Sequence, residues 1–194
     1  MIPTLVPIGA LLCGIALLLL GSGLLNTVVS LRGSIEGFSD TTLGLIGSTY
    51  FLGFFLGTFV APRLIRRMGH SRAFAFHAAL ATMAVLLHPL WLDPWGWGLL
   101  RVVTGIALVG LYTVIESWLN AEPDPQRRSR VFSLYMMINL SALALGQVLL
   151  MLGDAGATSM FMLTAILVCA AVLPVTATRL RPPEIPSVPR LELA

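Results

Sequence analysis

Arg101 and Glu116 are the two charged residues inside an otherwise apolar run, GWGLLRVVTGIALVGLYTVIESWLN, from Gly96 to Asn120. A charge at the centre of a bilayer-spanning helix costs about 2.5–3.5 kcal/mol on insertion scales, so each needs a reason to be there. On one helix the two lie about 22 Å apart along the axis and cannot pair with each other. Arg101 has two readings. It is a cavity cation that attracts an anion or couples to a proton, or it is an arginine whose head snorkels to the nearer headgroups. Glu116 also has two. It is a lock that pairs with arginines at its own end of the helix (Arg63, Arg66, Arg67, Arg127 or Arg128), or it is a protonatable carboxylate used in coupling.

A second set is neutral and polar: Asn26, Tyr50, Tyr112, Tyr135, Asn139 and Gln147, all inside apolar runs. Tyr112 and Glu116 stand four residues apart, as do Tyr135 and Asn139, and such pairs share a helix face. These residues either line a substrate cavity or hydrogen-bond between helices, a frequent fate of Asn and Gln in membrane bundles. His77 and His88 fall in one apolar run and read as core groups or as a proton relay. No catalytic motif is present: GxSxG, HExxH, CxxC and a phosphate loop are all missing, so no enzyme, cofactor or metal site is expected. Cys13 and Cys169 read as small buried hydrophobes.

These residues are embedded in a chain that is 57% hydrophobic and 11% charged, with a mean hydropathy of +0.89. A soluble chain averages about 25% charged residues, so the solvent that fits this composition is a bilayer. Six runs approach the roughly 20 apolar residues that a span needs: about 5–31, 42–61, 73–92, 96–120, 131–152 and 158–176. The first is too long, and lacks the basic flank, for a signal peptide, so it reads as a retained helix. Short links leave no room for a soluble domain. The bundle covers 1–178, and the proline-rich stretch 179–194 reads as a cytoplasmic tail or linker.

If the spans alternate, ten arginines fall on one side, and they include the cluster VAPRLIRRMGHSRAF with Arg63, Arg66, Arg67 and Arg72. The other side holds only Arg32. Positive excess marks the cytoplasmic face, so both termini are expected inside and the cluster is a cytoplasmic loop, not a nucleic-acid patch. Trp91, Trp95 and Trp97 at the opposite side read as an interfacial belt. Gly21, Gly23, Gly53 and Gly57 read as close helix packing.

Several strings together resemble the major facilitator superfamily. RxxGHxR after the second span resembles that family's loop between helices two and three, with Arg67, Gly69 and Arg72 in frame. The family's aspartate is replaced by Arg66 and its leading glycine by Pro62. RVVTG at Arg101 resembles the start of the family's helix four. IESWLN followed by RRSR resembles its junction of helices four and five. The resemblance implies an all-α membrane fold, the N-terminal six-helix half of a twelve-helix transporter, built as two inverted three-helix repeats. The triplets SxY at Ser48–Tyr50 and Ser133–Tyr135 fit such a repeat. It further implies a bacterial inner-membrane porter for a small solute, proton-coupled, with helices one, two, four and five lining the cavity. A second six-helix half, another copy or a C-terminal partner, is expected to complete it. The alternative from a different class is a non-transporting membrane module that docks a larger complex.

Overall fold

The structure, a computed structural model, describes residues 2–151, 153–154 and 156–177. The expected tail 179–194, with Arg179, Arg181 and Arg190, lies outside the described residues. Those described are helices and short links with no strand. The helix starts follow from local chemistry. Asp93 accepts a hydrogen bond from the Gly96 N–H at 2.8 Å, and Pro94 opens α4 (Pro94–Asn120). Asp124 accepts from Gln126 N–H at 3.0 Å, and Pro125 opens α5 (Pro125–Leu150). Both are the side-chain cap plus first-turn proline that satisfy or dispense with orphan donors. Ser39 caps α2 (Asp40–Met68) through Thr42 N–H at 3.2 Å. The remaining helices are α1 (Ile2–Ile35), α3 (His70–Leu87), α6 (Thr158–Ala170) and α7 (Val172–Ala177).

Among the described residues five stretches are long and apolar enough to cross a membrane: α1, α2, α4, α5, and α6 with α7 taken together. The expected third span falls short of that group. Its helix stops at Leu87, five residues before the expected end at Leu92, and begins with His70, Ser71 and Arg72. It nonetheless packs inside the bundle, between α4 and α6.

The interior is organised as two pairs. α2 packs on α4 and α1 packs on α5, while α1 touches α2, and α4 touches α5, only slightly. Glycines set both close approaches. A Cβ on Gly53 would strike the carbonyl oxygen of Val102, and one on Gly105 would strike that of Tyr50. In the other pair, Gly146 faces the carbonyl of Leu20 and Gly23 that of Leu143. In all four cases the contacted residue lies three positions before the facing glycine. The two pairs therefore have one register, in which Gly23 corresponds to Gly105 and Gly53 to Gly146. α3 and α6 complete the pattern: α3 packs on α4, α6 on α1, and the two on each other. This is the contact map of two three-helix units related by a pseudo-two-fold. In this register Tyr50 corresponds to Leu143, not to Tyr135, so the matching SxY triplets are out of step with the structural repeat.

The grooves beside the seams obey the same register. One, of about 300 Å³, lies between α2 and α4 and is lined by Leu45, Thr49, Trp95 and Gly98 among others. The other, of about 280 Å³, lies between α1 and α5 and includes Ile138, Ala142, Cys13 and Ala16 at the equivalent positions.

Four local expectations are corrected. The basic cluster is not a loop: α2 runs through Pro62 and carries Arg63, Arg66 and Arg67 on its last turns. Proline within a membrane helix is tolerated where neighbours re-satisfy the freed backbone. Chain reversal is confined to Gly69, whose φ of 81° suits glycine. Arg127, Arg128 and Arg130 likewise lie on α5 and not in a link. Trp97 is not part of an interfacial belt. It is wholly buried among Phe38, His88 and Phe161 and donates its indole N–H to His88 O at 2.9 Å, whereas Trp91 and Trp95 are exposed. Cys13 and Cys169 are free and exposed, not buried, because they fall on outward faces of α1 and α6.

Candidate functional site

Arg101 sits about 10 Å along α4 from its start, one turn before the Gly105 seam. It does not snorkel: only 5% of it is exposed. Its Nη2 donates to Asn26 Oδ1 across the gap to α1 at 2.7 Å. Its guanidinium carbon lies 4.6 Å from the centroid of the Tyr50 ring on α2. Arg101 thus joins three helices and ties one parallel pair to the other. The positions that register with Arg101 and Asn26 are Leu19 and Leu108, both buried in the apolar core. The repeat is therefore broken at its centre by one polar contact, on one side only.

From Tyr50 an aromatic row runs toward the other end of α4. Tyr50 and Phe54 have ring centroids 6.1 Å apart, and Phe54 and Tyr112 are 6.3 Å apart. Beyond it lies a second polar group. The Tyr135 hydroxyl interacts with the Glu116 carboxylate and the Asn139 side chain, and Tyr112 is close enough to feel the charge of Glu116. α4 and α5 meet only slightly, and this cluster is a polar contact between them. The structure therefore brings Asn26, Tyr50 and Arg101 together, and separately Tyr112, Glu116, Tyr135 and Asn139.

Gln147 stands apart from both clusters. It donates to Gly23 O at 2.9 Å and accepts from Thr27 Oγ1 at 2.6 Å, so it fastens α5 to α1 at the glycine seam. Thr27 escaped sequence reading because a lone threonine in an apolar run carries no signal. Arg63 donates to Phe59 O, one turn back on its own helix. Arg66, Arg67 and Arg72 are exposed and Arg128 is half-buried. His77 and His88 each donate Nδ1–H to a carbonyl one turn earlier, Ala73 and Ala84, both at 2.7 Å. His70, from the basic cluster, is buried and hydrogen-bonded to Ser117 at 2.8 Å, joining the start of α3 to the end of α4. Among the described residues no group of three or more potential metal ligands is assembled.

A membrane bundle of two related three-helix units, with paired helices crossing at glycines and polar groups on the face between the pairs, defines the class as a multi-pass transporter-type half. The sequence model of the Major Facilitator Superfamily matches residues 11–193. The chain is 30% identical over 174 residues to an uncharacterised MFS-type transporter of Enterobacter sp. (strain 638), covering 90% of this chain and 46% of that protein. It is 30% identical over 168 residues to another such protein of Yersinia enterocolitica, covering 87% of this chain and 44% of the relative. A third, from Escherichia fergusonii, is 30% identical over 174 residues, with 90% and 46% covered. No solved structure matches. This chain belongs to the Major Facilitator Superfamily, and it spans just under half the length of the curated relatives it matches.

Proposed function

We propose that the chain forms one six-helix half of a secondary active transporter that moves a small solute by alternating access across a bacterial inner membrane. The observation that carries this is the paired architecture. α1/α5 and α2/α4 are each seamed at glycines and share an apolar core, and the polar contacts between the pairs include Arg101 to Asn26 and Tyr135 to Glu116. A packed bundle with a polar strip between its pairs supports a half that rocks as a body against a second half around a polar site. α2 and α5 are each only 17% buried over their apolar windows, against 67% and 61% for α1 and α4. That leaves two faces for a second half to cover. Their large exposed side chains are apolar, such as Phe55 and Leu140, and the exposed Ser48, Thr58, Ser133 and Gln147 are already hydrogen-bonded within the bundle, so apolar packing would chiefly hold the halves together. Proton coupling is assigned to Glu116, the carboxylate in contact with the tyrosine cluster.

The test is transport by the protein in sealed membranes. Uptake that is driven by a pH gradient, collapses with an uncoupler and is lost in Glu116→Gln supports the reading. Cysteines at Phe55 and Leu140 that crosslink to a second half in native membranes support the pairing. Gradient-independent uptake, unchanged in Glu116→Gln, would remove the proton-coupled mechanism.

A further inference from the structure

The buried guanidinium of Arg101 is incompletely satisfied. Nη2 has Asn26, but Nε and Nη1 are buried and have no hydrogen-bond partner among the described residues. Its other neighbours are the Tyr50 ring and His88, and neither is an anion. The acids of the described residues lie elsewhere. Glu116 is about 22 Å away along α4. Asp93 is about 12 Å away and caps Gly96, and Glu36 is engaged by Arg32 beyond the end of α1. Arg32 shows the ordinary arrangement, an arginine in an ion pair at 2.5 Å near a helix end. Arg101 is the opposite case: a cation deep in the bundle that meets a neutral amide and the face of an aromatic ring.

Removing a cation from water without a counter-charge is expensive, and a ring face returns only a small part of it. Charge-assisted bonds to a carboxylate, sulfonate or phosphate are roughly twice as strong as neutral ones. We propose that Arg101 is the anchor for a small organic anion, whose acid group bonds the guanidinium and whose apolar body lies along the Tyr50–Phe54–Tyr112 row. This deepens the transport reading by naming the substrate class of the same strip, but binding at Arg101 stands or falls independently of transport. Tyr50 has a defined part in it. Its ring covers the guanidinium in this state and has to swing aside as the anion arrives, so the ring's attraction to Arg101 is exchanged for a stronger one.

The test is thermal stabilisation of the full chain in lipid–detergent micelles. Benzoate, benzenesulfonate and phenyl phosphate are compared with benzamide, with the benzylammonium cation and with inorganic phosphate. At least one aromatic anion is expected to raise the unfolding midpoint in a saturable way, and the three separate carboxylate, sulfonate and phosphate as sources. Benzamide, benzylammonium and inorganic phosphate are expected to do little. Affinity should fall about tenfold or more in Arg101→Gln, the loss of one charge-assisted contact, and part of it should return in Arg101→Lys. Asn26→Asp, which places a carboxylate on Arg101 from within, should abolish the response while leaving the unliganded midpoint equal or higher. That control separates lost binding from lost folding. Stabilisation by benzamide or benzylammonium, a response to inorganic phosphate as strong as to the aromatic anions, no response to any anion, or an anion response unchanged in Asn26→Asp would each overturn the proposal. Anion binding without uptake would leave it standing and remove the transport reading instead.

Discussion

Gly146 of α5 packs against the carbonyl oxygen of Leu20 in α1, three residues before Gly23, and Gly53 of α2 meets Val102 of α4 in the same relation to Gly105. The two helix pairs are thus copies of one contact, and the copy is made by backbone approach and not by side-chain identity.

Replacement of Gly53 or Gly146 by alanine should therefore destabilise the chain, by about 1–3 kcal/mol each, as overpacking does. Gly44 is a helix-interior glycine with nothing within 4 Å of a Cβ, and there alanine should stabilise by about 0.5–1 kcal/mol. Equilibrium unfolding in mixed micelles reads both. Equal costs at Gly44 and Gly53 would mean that the seam is not the determinant.

The tryptophans separate just as cleanly. Trp97→Phe removes a buried donor from His88 O and leaves a void, and should cost about 1–3 kcal/mol. Trp95→Phe, at an exposed position, should stay within about 0.5 kcal/mol. A thermal unfolding series distinguishes them.

Orientation rests on the arginine distribution and is checked by labelling. Cys13 and Cys169 are both exposed and must first be replaced by serine. A cysteine at Ser34 is then expected to react with an impermeant thiol reagent added outside intact cells, and one at Ser71 only after permeabilisation. The reverse pattern would invert the topology.

The inner polar cluster should behave as a unit. Glu116→Gln and Tyr135→Phe, made singly and together, should be non-additive by about 0.5–3 kcal/mol in a stability cycle, as residues of one network are. Additivity would mean that the two groups are neighbours without coupling.

What could be read in advance was whatever announces itself locally. Pro94 marks the break before α4, apolar runs mark spans, and an arginine in RVVTG is conspicuous against its surroundings, whereas the cap at Asp124–Pro125 was passed over inside what read as a link. What could not be read was pairing between distant positions. Arg101 and Asn26 are 75 residues apart, and Gln147 and Gly23 are 124 apart. Nothing in either neighbourhood names the other. The misplacement of Trp97 has the same origin. A tryptophan near a span end suits an interface, and only the tertiary arrangement supplies the carbonyl of His88 that makes burial favourable. The helix through Pro62 was hidden because proline is a breaker in water, where freed carbonyls find solvent, but not in a packed membrane helix.

The joint at Gly69 distinguishes the two three-helix units mechanically. α2 hands over to α3 across a single residue, with about 3.8 Å between successive Cα atoms, while the equivalent corner between α5 and α6 takes the residues from Met151 to Ala157. A torque applied to the arginine-bearing end of α2 passes at once to the foot of α3. There His70 is latched to Ser117 and hands the load on to the end of α4. The first unit's corner is thereby tied directly to the second unit's leading helix. The second unit has no such one-residue corner, since α5 ends at Leu150 and α6 begins at Thr158.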